Sequence, residues 1–161
     1  MSNMQLSANG LAELKQAEAF MPKLYDDGGS KGVGHCTIGY GHLVHYDPCG
    51  GNKYLTEHQF INGITVKKAT LLLKRDVVWA EKSVNDLVKI PLTQNQFDAL
   101  VIFTFNVGAD AFSKSTLLKM INSNNLKAVP AGFRMWNKSK GKILSGLLNR
   151  REREIRIFEK E

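Results

Sequence analysis

The chain has 161 residues, 43% hydrophobic and 23% charged, an ordinary globular composition. That is enough for one domain, or for two small lobes sharing a core without staples. Its longest apolar runs, such as Ala99–Phe103, exclude a membrane-spanning helix. The opening MSNMQLSANG has neither the basic start nor the apolar core of a signal peptide, so synthesis in a cytoplasm is expected, with help needed for any work outside it. A net charge of +7 favours an anionic partner: nucleic acid, a membrane surface or an acidic cell-wall polymer.

Ser7 is a candidate N-cap, and Ala8 to Met21 fits one helix ended by Pro22. At about 100° per residue, Leu11, Leu14, Glu18 and Met21 share one face, so Glu18 lies on the apolar stripe and Glu13 on the solvent side. A carboxyl group on a buried face loses hydration and holds its proton, as a general acid must. The bland alternative is that Glu18 pairs with a buried arginine. Residues 26–34, DDGGSKGVG, must turn. TIGYGHLVH (37–45) reads as strand, tight turn and strand, and 46–54 as a loop, which confines the small sheet to the first third of the chain.

The rest reads as helical. A short helix starts at Leu55. Thr65 caps a long one from about 66 to 88, which Pro91 closes. Thr93 caps a central helix that is apolar nearly all round from Ala99 to Phe105 and ends at Gly108. One helix is expected over 113–122, short turns around Trp136, a loop over 141–146 and a last helix over 147–160. The predicted organisation is α+β, a single domain with lobes over about 1–65 and 89–161. A connecting helix joins them over about 66–88, and a cleft between the lobes suits an extended polymer.

Two carboxylates from different elements, facing each other across a glycine-rich hairpin, are the minimum equipment for cleaving a glycosidic bond. Here Glu18 is followed, after eight residues, by Asp27, and then by Thr37 in TIGYGH. With Tyr25 before the aspartate, these residues resemble the active-site signature of the phage-type lysozymes, the endolysin muramidases of tailed bacteriophages. LTQNQFDALVIFTFNVG (92–108), STLLKMIN (115–122), Trp136 and GLLNRREREIRIF (146–158) resemble family segments in the same order, so the likeness covers nearly the whole chain.

The resemblance implies a lysozyme-like fold and endo-hydrolysis of the β-1,4 bond between N-acetylmuramic acid and N-acetylglucosamine in peptidoglycan. Glu18 matches the proton donor, Asp27 the second carboxylate and Thr37 the threonine beside the attacking water. Inversion is expected, with the carboxyls roughly 6.5–9.5 Å apart. Gly41, His42 and Leu43 match the cleft-wall turn, and Phe105 and Asn106 match residues facing the substrate from the other lobe. His42 is also read as holding its loop by hydrogen bonds, and Ser115 and Thr116 as a helix cap. Arg150 or Arg151 is expected to fold back and pair with Glu18. The resemblance requires no metal or cofactor. It implies a monomer that reaches the wall after a holin opens the inner membrane. The hairpin is longer than in many members of the family, nine residues (Gly28–Cys36) separating Asp27 from Thr37. Strand alternation lets only one of Asp26 and Asp27 face the site, and the family spacing selects Asp27.

Several rival readings remain. A lytic transglycosylase would use Glu18 without a second carboxylate and leave anhydro sugars. Cys36, His42, His45 and Cys49 lie within fourteen residues and raise a zinc-dependent wall amidase. A nucleic-acid-binding module rests on charge alone, and no groove-reading motif supports it. The basic segment 138–161 could touch anionic outer-membrane lipids, but Leu148, Arg151, Ile155 and Phe158 form only a narrow stripe suited to docking on the protein. Cys36 and Cys49 are expected as two free thiols in a cytoplasm, and as one bridge only after export to an oxidising space.

Overall fold

The computed structural model describes residues 3–161. Its contacts divide into two units: Ala12–Asp76, and Val77–Glu161 together with the N-terminal residues up to Leu11.

The first unit carries a three-stranded antiparallel sheet, β1 (Met21–Asp26), β2 (Cys36–Gly39) and β3 (His42–His45), in that spatial order. Helix α1 (Ala8–Glu18) leads into it. Ser7 caps α1 through Oγ, which accepts from the Gly10 amide at 2.9 Å. The helix ends at Glu18, not at Pro22 as the pattern predicts. The residue before a proline is driven to extended backbone, so Met21 joins β1 instead. The chain reverses at Ala19, whose φ is 58°. A left-handed alanine costs about 1 kcal/mol or more, and it stands directly beside the expected acid. Cys36, Ile38, Phe60, Ala69 and Leu73 make the buried core of this unit, fed by β2, a 3-10 turn (Leu55–Phe60) and α2 (Val66–Asp76).

The long helix expected over 66–88 is two helices. It breaks at Val77 between α2 and α3 (Val78–Leu87). Consecutive β-branched residues, Val77 and Val78, are weak helix formers, and the carboxylate of Asp76 accepts from the His42 ring instead of lying on the helix surface.

In the second unit α4 (Gln94–Val107) is the centre, buried from Phe97 to Thr104. Thr93 and Gln96 close a reciprocal capping box at its start. Asp98, itself buried, accepts from the Ser7 amide and hydroxyl and from Gln94, which ties the N-terminal residues to α4. Phe103 meets Phe112, Phe133 and Trp136 edge-on, with centroids 5.4–6.2 Å apart. Each such buried ring stabilises by about 1.5–3 kcal/mol.

The helix expected over 113–122 is also two. Ser115 leaves the helix to cap the second through the Leu118 amide, separating α5 (Ala109–Lys114) from α6 (Thr116–Asn122). α7 (Val129–Arg134) follows a 3-10 turn. The sheet is not confined to the first third of the chain. β4 (Lys138–Ser139) and β5 (Lys142–Ile143) form a small hairpin around Lys140 and Gly141, both at positive φ, and β5 lies inside the loop expected over 141–146. The last helix, α8 (Ser145–Phe158), buries Arg151, Glu154, Ile155, Ile157 and Phe158. Its apolar stripe packs against α4 and α7, so that face is committed to the protein interior.

Candidate active site

Glu18, Asp27 and Thr37 all belong to the first unit. Glu18 is half-buried at the C-terminus of α1. The turn between β2 and β3 passes close to it: a Cβ at Gly41 would sit 3.4 Å from Glu18 Oε2, and Gly41 has φ 71°. Only glycine takes that backbone without strain and keeps the approach to the carboxylate open.

β1 and β2 pair with Tyr25 opposite Thr37 and Asp26 opposite Cys36. The alternation therefore separates the two aspartates. Asp26 is fully engaged by backbone: Oδ2 accepts from Gly32 and Oδ1 from Cys49, both at 2.6 Å. These two amides hold its carboxyl below the usual carboxylate range. Asp26 is thus the clamp of the loop. Asp27 is exposed at the end of the strand. One of its oxygens, Oδ1, accepts from the His35 amide at 2.7 Å. A Cβ at Gly34, which has φ 94°, would collide with that oxygen, so the glycine seats the carboxylate.

The phenol of Tyr25 is pushed up, first by burial, then by the charge of Asp27, then by that of Glu18. Both carboxylates therefore act on one ring, which lies opposite Thr37. Thr37 is nearly buried, 4% exposed, and its hydroxyl donates to His35 O at 3.0 Å. This leaves the oxygen's lone pairs to accept from another group. A depression of about 540 Å³ lies beside these strands, lined by Tyr25, Asp26, Asp27, Lys31 and Cys49 among others.

The remaining candidates divide by unit. His42 leads β3 and bonds Asp76 through Nδ1 at 2.8 Å, with Phe60 edge-on to its ring. Leu43 is 38% exposed on the same strand. In the second unit Phe105 stacks on Trp79 at 5.8 Å. Asn106 accepts from Arg151 at 2.7 Å.

Arg151 is buried. Its Nε lies 2.7 Å from Glu154 Oε2, Nη2 donates to Glu154 Oε1 at 2.9 Å, and its plane covers the Phe103 ring. Burial pushes the Glu154 carboxyl up to about 7 against the pull of Arg151 and Arg150. An unfolded glutamate ionises near 4.5. Between those values the folded chain binds the extra proton, so this contribution to stability is complete below about pH 4.5 and is lost as pH rises through about 7. Thermal melts are expected to fall from about pH 5 to 8 in the wild type and to flatten in Glu154→Gln. Identical slopes would contradict this.

The two cysteines are joined as Cys36–Cys49. The expected free thiols are corrected by the fold: Cys36 N donates to Asp47 O at 2.9 Å and Asp26 grips the Cys49 amide, which brings the loop back over β2. The four-residue zinc set does not converge as drawn either. His42 is held by Asp76, and His45 by Glu57 at 2.7 Å.

A phage lysozyme family model matches residues 15–154. An endolysin of Salmonella phage P22 is 41% identical over 96% of this chain and 98% of its own length. An endolysin of Bacillus phage PZA is 39% identical over 96% of this chain, which spans only 55% of that longer relative. The crystal structure of a point mutant of P22 lysozyme superposes with a TM-score of 0.79 at 35% identity, covering 98% of this chain and 99% of that one.

The chain belongs to the phage lysozyme family.

Its fold is accordingly the α+β, lysozyme-like one. The matched range of that family takes in all the candidate residues, from Glu18 to Arg151. Two neighbours of those residues are absent from the sequence reading. Trp79 carries the stack on Phe105, and its signal is an aromatic residue early in α3. Glu57 holds both His45 and the Gly50 amide. No pattern marks it, because a single glutamate in a short turn looks like surface.

Proposed function

We propose that this phage lysozyme is an endolysin that hydrolyses the β-1,4 bond between N-acetylmuramic acid and N-acetylglucosamine in peptidoglycan. Family membership supports the coarse part, cleavage of the bacterial wall. The observation that carries the finer part is a carboxylate at each end of β1, Glu18 beside the bare Gly41 and Asp27 held by the His35 amide, with buried Thr37 paired to Tyr25 on the same strand pair.

In this reading Glu18 donates its proton to the leaving oxygen. Asp27, with a water that donates to Thr37, delivers the nucleophile to the opposite face of the sugar, and the configuration inverts. Gly41 leaves room for the sugar beside Glu18. His42 and Leu43 contact it from the turn, and Phe105 and Asn106 are further candidates for sugar contact. Arg151 is engaged by Glu154 and Asn106, and Arg150 Nε lies 3.6 Å from the same Glu154, so Glu154 takes both arginines that were candidates for Glu18. The protein acts as a monomer, released to the wall by a holin. The +7 charge raises encounter with the anionic polymer, in a salt-sensitive way. The apolar stripe of α8 is used inside the protein, which argues against a role at the outer membrane.

The test is the product. Purified peptidoglycan digested to completion and resolved by mass spectrometry is expected to carry reducing muramic ends. Anhydro ends would make the enzyme a lytic transglycosylase, and free stem peptides would make it an amidase.

A further inference from the structure

Among the described residues outside the carboxylate site, one cluster of chemically active side chains has no assigned use. Cys36, His45 and Glu57 offer ligand atoms that all lie within 4.8 Å of one another. They are well shielded: Cys36 and Glu57 are fully buried, and the His45 side chain is 14% exposed. The cluster also contains unmet polar capacity. Glu57 Oε2 and His45 Nδ1 are buried and make no hydrogen bond. A buried carboxylate oxygen without a partner is destabilising, and a cation is the partner that such an oxygen, an imidazole and a sulfur share.

Cys49 is not one of the three, but it is bonded to Cys36. In the oxidised chain neither sulfur is a thiolate, so neither binds a metal. A chain synthesised in a bacterial cytoplasm starts with its thiols reduced.

We propose that the reduced protein binds a zinc-class divalent ion through Cys36, His45 and Glu57, with Cys49 as the fourth ligand, and that oxidation to the disulfide releases it. Two sulfurs, one imidazole and one carboxylate are a tetrahedral set that zinc accepts. Zinc bond lengths of about 2.0–2.3 Å put neighbouring ligands about 3.3–3.8 Å apart. The present spread therefore needs to close by about 1 Å, within reach of side-chain rotation. On oxidation by a small organic disulfide, the two thiolates become the Cys36–Cys49 bond and the small disulfide takes up two protons and becomes two thiols. The ion leaves as the free dication, and sulfur supplies both electrons.

The location gives the site a use. Cys36 is the first residue of β2 and precedes Thr37, while His45 ends β3 and pairs with Cys36 in register. Metal and disulfide are alternative clamps on the same strand, one for each redox environment. The site is structural and is independent of the proposed hydrolysis, so failure of either leaves the other standing.

The test is a cobalt titration of the full-length protein, reduced with a phosphine without air, read by absorption with circular dichroism alongside. The reduced wild type is expected to bind one equivalent with thiolate-to-cobalt charge-transfer bands, to yield the cobalt to zinc, and to lose the bands on adding oxidised glutathione. Cys36→Ser and His45→Ala should each weaken binding at least about 100-fold, more than loss of a group outside the ligand set does. His42→Ala should not change the affinity. Absent bands, or bands that survive His45→Ala combined with Glu57→Gln, would overturn the proposal. So would a chain that unfolds on reduction and is not refolded by zinc, whereas refolding by zinc would support it.

Discussion

Replacing Glu18 by glutamine is expected to lower turnover of purified peptidoglycan by roughly 10²–10⁴-fold, the range that one positioned general acid supplies. The variant keeps the shape of the side chain and its place at the end of α1, so its melting temperature should stay close to that of the wild type. The amide has no proton to give the leaving oxygen, so the loss should fall on kcat with KM little changed. A variant that stays folded and retains full activity would remove Glu18 from the chemistry. The position is built with some strain: left-handed Ala19 follows directly, and Gly41, where an added Cβ would come within 3.4 Å of the carboxylate, also has a positive φ, 71°. Backbone of that kind is retained where the surroundings impose it, often beside a working side chain.

The second large effect separates neighbouring aspartates. Asp27→Asn is expected to lose roughly 10²–10⁴-fold in kcat, because a neutral amide neither draws a proton from water nor favours the developing sugar cation. Asp26→Asn should behave differently. Its carboxylate accepts from the Gly32 and Cys49 amides, and those bonds keep it ionised well below the usual range. An Asp26 variant is therefore expected to lower the melting temperature near neutral pH, where the native charge is present, and to lose that difference as acid protonates the wild-type group. Activity per folded molecule should change much less than in Asp27→Asn. If Asp26→Asn is the inactive variant and Asp27→Asn the active one, the strand faces have been read the wrong way round.

The helix starts were legible in the sequence because a cap is a local device. Ser7, Thr65 and Thr93 each accept from an amide two or three residues on, as their side chains predict. The helix ends were less so. Pro22 marks where the chain must already be extended, not where α1 stops, and the break at Val77 has no proline or glycine to announce it. The two-residue strands around Lys140 and Gly141 are too short for any alternation to appear.

The same divide runs through the site. Glu18, Asp27 and Thr37 are candidates drawn from spacing within a family signature. The choice between Asp26 and Asp27 depends on where backbone amides from residue 32 and residue 49 arrive, which no local pattern states. The Cys36–Cys49 pairing and the approach of Glu57 to His45 depend on the same returning loop. Sequence spacing assembled a zinc set with His42 in it. The fold gives His42 to Asp76 and brings in a glutamate that spacing had passed over.

In the proposed mechanism two carboxylates on opposite sides of the sugar use a water, not an enzyme side chain, as the nucleophile. Proton NMR of the digest in its first minutes, before the released ends mutarotate, tests this most directly. Inversion predicts that the β-linked muramic unit appears first as the α-anomer. New ends appearing first as the β-anomer would mean retention through a covalent or substrate-assisted path, and would contradict the roles given to Asp27 and Thr37.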